Sequence, residues 1–186
     1  SIPVQSVSFG IAYHTPKAGA DEAYALDLVA NVMGRGTSSR LYKRLVYKEQ
    51  LATSVTVYNS TNQDAGLFVI VVSLKPGADF SKAQRAIYGE IWKPRNLLVE
   101  PGELEMAKKQ VMRGYVDGLK TVHGKAESLA VNEIMFGDYG QLFNDLERYD
   151  RVTSEAMRAA AKKYLAPETS NLVVIRPERN AAKRGG

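Results

Sequence analysis

The only two histidines of the chain, His14 and His123, are the first place to look for hydrolytic chemistry. A zinc hydrolase needs histidine or carboxylate ligands that converge in space, together with a general base that activates the bound water. Neither histidine stands in H-E-x-x-H or in the inverted H-x-x-E-H. His14, followed by Thr15-Pro16, reads as a strand-end residue, and His123 beside Gly124 reads as a residue at a helix break. The chain has no cysteine, which excludes disulfides and thiolate metal sites but leaves the compartment open, bacterial periplasm and cytoplasm alike. No residue is assigned as catalytic or as a metal ligand.

Nucleophilic chemistry has no better footing. There is no G-x-S-x-G, and Ser38 and Ser39 have no histidine near them in sequence. Capping a helix is a sufficient role for both. The run Gly34-Arg35-Gly36-Thr37-Ser38-Ser39-Arg40 looks at first like a phosphate cradle, but it follows a helical pattern rather than a strand and lacks G-K-[ST]. It reads instead as a structural corner, in which glycine lets the backbone turn tightly or pass close to a neighbour.

Charge and composition narrow the class further. The 186 residues carry a net charge of +5, with 45% hydrophobic and 24% charged residues, as in a soluble globular domain. Lys108, Lys109, Arg113, Lys162 and Lys163 read as solvated helix faces, and no stripe of interleaved basic and aromatic residues points to nucleic acid. The longest apolar run, Leu67 to Leu74, is too short to insert across a bilayer as a helix. The start at Ser1-Ile2-Pro3 shows no secretory signal and points to a piece of a longer protein. Residues 1–177 read as a single domain, and residues 178–186 as a disordered tail or linker.

The elements that must position any site follow from periodicity. Alternation over Val4–Tyr13 predicts a strand with Val7, Phe9, Ile11 and Tyr13 on one face. Asp21 offers an N-cap to a helix that runs to Met33 and closes on Gly34, and Thr37 or Ser38 offers one to a second helix over 39–48, with Leu41, Leu45 and Val46 as its stripe. Strands over 52–58 and 67–74 form a hairpin. Asp79 or Ser81 opens a helix that ends near Pro94 with Trp92 inward. A long helical stretch over 102–136 should break near His123-Gly124, and helices over 138–149 and 153–164 lead to a last strand at 171–175. The order β-α-α-β-β-α-α-α-α-β predicts an α+β fold, a mostly antiparallel sheet covered on one face by helices.

Several of these stretches resemble a known family. Ser39-Arg40-Leu41-Tyr42 and Lys48-Glu49-Gln50-Leu51-Ala52, within residues 25–52, are similar to the second domain of zinc peptidases of the pitrilysin/insulinase (mitochondrial-processing-peptidase-like) family. Lys75-Pro76-Gly77, Glu103–Lys108, Val152–Met157 and Tyr164–Pro167 continue the resemblance in order, so that it covers residues 4–177. It implies a metallopeptidase-like roll without metal, zinc being held by the first domain of the parent. Its expected partner is that zinc-bearing first domain, on the same protein or on a partner subunit, with a peptide substrate enclosed between the halves. No nucleic acid or membrane insertion is implied, and the isolated domain is expected to pair with itself as a homodimer. The family also includes structural core subunits of a respiratory complex, which is the alternative reading.

One departure bears on the site. Some family members supply an Arg and a Tyr from this region to hold the substrate backbone, and those positions here are Val46 and Thr53. Arg44 lies two places early, on a different helical face. Separately, because the two histidines are isolated and there is no cysteine, the chain on its own should retain no stoichiometric zinc after dialysis. Metal analysis checks this; a tightly held zinc that is lost on replacing His14 or His123 would reverse the reading.

Overall fold

The alternation of small or polar with large apolar residues along the first strand dictates a sheet with one wet and one dry face. The computed structural model describes residues 6–177. Its strands are β1 (Ser8–Thr15), β2 (Ala52–Ser60), β3 (Gly66–Leu74) and β4 (Asn171–Ile175). They form one sheet in the order β2-β3-β1-β4 with every pairing antiparallel. Helices α1 (Asp21–Gly34) and a π-helix (Tyr42–Lys48) lie between β1 and β2. Helices α2 (Phe80–Asn96), α3 (Pro101–Gly118), α4 (Val122–Phe136), α5 (Gln141–Arg151) and α6 (Ser154–Tyr164) lie between β3 and β4. The α+β architecture expected from the sequence is the one observed.

The dry face carries Phe9, Ile11 and Tyr13 of β1, Phe68, Ile70 and Val72 of β3, and Val55 and Val57 of β2, all buried. Against it pack α1 through Leu26, Leu28, Val29 and Met33, α2 through Ala83, Ile87 and Ile91, and α6 through Met157, Ala160 and Ala161. Among the described residues no helix lies on the other face. Register places Val71 beside Gly10 and Gly10 beside Val173, Val69 beside Ala12, and Ser8 beside Ile175. Val173 and Ile175 are 65% and 53% exposed, and an added Cβ at Gly10 would meet nothing nearer than the Ile70 carbonyl oxygen at 3.8 Å.

Several local expectations need correction. The first strand is Ser8–Thr15 rather than 4–13; Val4 and the tail 178–186 lie outside the described residues. Asp21 is not a cap: Ala20 holds that place, and Asp21 and Glu22 occupy the first turn, where they complement the positive helix end. Gly34 is not a left-handed terminator either, because the capping residue Arg35 is extended. Its requirement is space: a Cβ there would sit 2.3 Å from Val57 Cγ2. Neither Thr37 nor Ser38 caps the second helix, since Ser39 turns its hydroxyl back onto the Gly36 carbonyl at 2.8 Å. Gly36 itself has φ +78, as a turn glycine should.

The second helix is wound wide rather than as an α-helix. The Glu49 N–H reaches Arg44 O at 2.9 Å, an i to i−5 bond. The wider turn brings residues five apart side by side, and Arg44 Nε donates to Glu49 Oε1 at 2.9 Å. Helix α2 continues through Pro94 to Asn96, and Trp92 faces out, 52% exposed. Proline lies there in the last turn of the helix, where only the one bond to the Glu90 carbonyl is lost. The long helical stretch breaks at residues 119–121, before His123-Gly124, because Thr121 accepts the Gly124 N–H at 3.0 Å and starts α4 anew. One helix more than expected results, and α5 starts at Gln141.

The two corner glycines should respond differently. Gly34→Ala forces a methyl against β2 and should cost about 2–3 kcal/mol. Gly36→Val meets open space and should cost about 1–2 kcal/mol through its positive φ alone. Urea denaturation of both variants checks the order; a larger loss at Gly36 would mean that dihedral strain, not contact with Val57, governs the corner.

Candidate functional site

The corner read from sequence is a structural junction. Arg40 grips Glu103 of α3 through Nε to Oε1 at 2.9 Å and through Nη2 to Oε2. The guanidinium holds the Glu103 carboxyl below the usual carboxylate range. Ser39 is buried and bonded to Gly36, while Ser38 donates to Met106 Sδ at 3.8 Å. Ser38 and Arg40 therefore contact α3, while Gly34 passes against β2 and Gly36 and Ser39 form the turn between them.

Val46 is half-buried against the core, and Thr53 is exposed with its hydroxyl on Ser73 O at 3.2 Å. The structure does not bring them into a polar pair. Arg44 instead points to an ion cluster the sequence reading missed. Its Nη1 donates to Glu90 Oε1 at 2.9 Å, and Lys93 Nζ donates to the same oxygen at 2.8 Å. Glu90 is buried, on the floor of a cavity of about 890 Å³ whose rim includes Lys43, Lys48 and Leu98. A signal for it was present. Ala83, Ala86, Ile87, Glu90, Ile91 and Pro94 are the buried face of α2, and Glu90 is the one charged residue at that spacing.

A second polar assembly lines a groove of about 750 Å³ between the edge strand β2 and helices α3 and α5. Tyr149 Oη donates to Asp27 Oδ2 at 2.5 Å, Asn59 Nδ2 to Asp27 Oδ1 at 2.9 Å, and Tyr24 Oη to Asp145 Oδ1 at 2.7 Å. Burial pushes the Asp27 carboxyl up to about 6, against the two hydrogen bonds that favour its ionised form. Burial raises Asp145 and, more strongly, the Tyr24 and Tyr149 hydroxyls. Among the described residues, the backbone of β2 that faces this groove has no neighbouring strand.

Neither assembly suits a catalytic metal. His14 is exposed at the end of β1, and His123 lies on α4 with only Glu127, 3.8 Å away, beside it. Among the described residues no group of three or more His, Cys, Asp or Glu side chains converges to hold an ion. No helix among the described residues is long and apolar enough to cross a membrane.

Residues 2–111 match the family model described as the peptidase M16 inactive domain. The chain belongs to this family. Its relatives include an uncharacterized zinc protease of Rickettsia felis, 27% identical over 160 residues, which are 86% of this chain and 38% of that protein. Zinc protease PqqE of Helicobacter pylori is 26% identical over 172 residues, 90% of this chain and 37% of that protein. This M16 chain thus spans little more than a third of the length of these curated relatives. In fold it is similar to the inactive peptidase domain of a protein described as a zinc protease from Bordetella parapertussis, with a TM-score of 0.87 at 23% identity, covering 97% of this chain and 96% of that one. Zinc is associated with the relatives, and the residues described here do not form a site for it.

Glu90→Ala should lower stability by about 1–3 kcal/mol, because Arg44 and Lys93 lose their shared acceptor yet remain partly hydrated. Lys48→Ala, on the exposed rim, should stay within about 0.5 kcal/mol. Thermal denaturation of the pair checks this; equal effects would mean that Glu90 is dispensable to the fold.

Proposed function

We propose that this chain is the non-catalytic domain of a zinc-dependent peptidase and forms part of the wall of a chamber that encloses a peptide. The observation that carries the reading is the uncovered sheet face. Val69, Val71, Val173 and Ile175 flank a lane of small residues, Ser8, Gly10 and Ala12, on a sheet whose opposite face is fully packed. A domain that stood alone would gain by covering such a surface. The relatives are longer by the span of at least one further domain of this size. The partner proposed for the face is the zinc-bearing domain of the parent, on the same chain or in a partner subunit.

In this arrangement the chemistry belongs to the partner, and this domain supplies enclosure and orientation, which concentrate an extended peptide against the reacting centre. The unpaired edge of β2, open to the groove, offers backbone N–H and C=O groups that an extended peptide could match. A second reading, a structural subunit without catalysis, draws on a 22% match over 161 residues to cytochrome b-c1 complex subunit 2 of human mitochondria, which is 82% of this chain. An H-x-x-E-H in the remainder of the parent favours the peptidase.

The test mixes this chain with the zinc-bearing portion of its parent and follows cleavage of an unstructured peptide. The chain alone should show no turnover, and the mixture should. Val71→Asp should weaken association at least tenfold, by losing apolar contact and burying a charge, without lowering the melting temperature of the isolated domain. Cleavage by the isolated chain, or full association of the variant, would count against the reading. Light scattering shows whether copies of the chain cover the face for one another when the partner is absent.

A further inference from the structure

Helix α5 is held to the body of the domain by a cluster of polar contacts together with few apolar ones: buried Leu142, and Tyr149, whose ring packs against the core and edge-on to Tyr24 with centroids 4.9 Å apart. Of residues 122–151, only Asn132 and Leu142 are buried. The attachments of α5 are Tyr149 to Asp27, Asp145 to Tyr24, and Arg148 Nη1 to Gly19 O at 2.8 Å, with the Arg148 guanidinium 5.5 Å from the centre of the Tyr24 ring. Tyr115 of α3 donates to Leu142 O at 2.6 Å, and Lys108 of α3 to Asp150 O at 2.5 Å. The approach to α5 from α4 runs through Gly137, at φ +67, and Gly140, with Glu133 accepting the Tyr139 N–H and Asp138 the Gly140 N–H.

Asp27 sits at the centre of these contacts without a counter-ion: among the described residues no lysine, arginine or histidine nitrogen lies within 4.0 Å of its carboxylate. Asn59 faces it from β2, and Asp145, Arg148 and Tyr149 from α5. Tyr115 of α3 and Arg35 line the same groove, Tyr24 lies one turn away on α1, and α6 contributes Lys163, engaged with Glu22. Two neutral donors only partly offset the cost of holding this carboxylate away from water, so burial outweighs them.

We propose that α5 is a movable wall of the groove beside β2 and that the Asp27 carboxylate is the latch that releases it as pH rises. With α5 docked, burial places the Asp27 carboxyl at about 6; once α5 lifts and water reaches the group, it returns toward its ordinary 3.8. The docked state therefore binds the proton more tightly. Its advantage is complete below the lower value and is lost as pH rises through the upper one. The gap of about two units permits a change of about 100-fold in the docking equilibrium. Asp145, raised by burial as well, acts in the same direction. Release would uncover Asp27 and Asn59 and widen the groove along the free edge of β2.

Hydrogen exchange on the intact chain tests this, with protection factors referred to the unstructured rate at each pH. Between pH 4.5 and pH 8, protection of α5 amides should fall by a factor between about 10 and 100, while that of β1 and β3 amides stays constant. Asp27→Asn should flatten the dependence. Tyr149→Phe, which removes a bond to the ionised form, should move its midpoint to higher pH and serves as the check if Asp27→Asn does not fold. Protection of α5 that does not change with pH would overturn the proposal. So would an equal fall in α5 and the sheet, a dependence that survives in Asp27→Asn, or a midpoint unmoved in Tyr149→Phe.

Discussion

Strand β1 must be paired on both sides and covered on one, and the rest of the domain follows from that requirement. Its partners come from distant parts of the chain, with Ile11 beside Ile70 on one side and beside Leu172 on the other. Phe9, Ile11 and Tyr13 are so deeply buried that the helix layer has to reach across three strands. Small residues allow the close approach. Ala25 and Ala30 of α1 and Ala160 and Ala161 of α6 are buried where the two helices meet the sheet, and Gly34 lets the end of α1 pass against Val57.

Much of this was legible in the sequence because it rests on period. The two-residue alternation of β1 and the helical spacing in α1 gave those elements and their buried faces. The expected start of a helix at Thr153 holds as well, where its hydroxyl accepts the Ala156 N–H at 3.2 Å and caps α6. What period could not convey was the winding of residues 42–48, since Leu41 and Leu45 satisfy an α-helix equally well. Nor could it show that Trp92 faces out: the aromatic ring is apolar, but α2 fills its inner face with Glu90 and Ile91.

The polar assemblies were less legible, for a different reason. Asp27, Asn59 and Tyr149 lie on three separate elements and meet only when the fold closes, so no local spacing marks them. Glu90 left a trace, a charge on an apolar stripe, while its partner Arg44 is aimed at it by a π-turn that sequence does not announce. The Val46 and Thr53 positions were informative in the opposite sense. The residues there do core and edge work, and the nearby arginine is committed to Glu49 and Glu90. In this chain the charge of that region is spent on holding helices together.

The pairing of β4 with β1 also governs when the domain can exist at all. Within this domain a ribosome makes β1 before β4, and every helix of the layer emerges between them. Until residues 171–175 have cleared the exit tunnel, the edge of β1 that β4 will occupy, Ser8 to Ala12, has no partner from its own chain. While this domain is being made, β1 therefore carries an open, apolar strand edge, the kind of surface that chaperones shield and that neighbouring nascent chains can invade. Five residues near the end of the chain decide whether that exposure is resolved within the molecule.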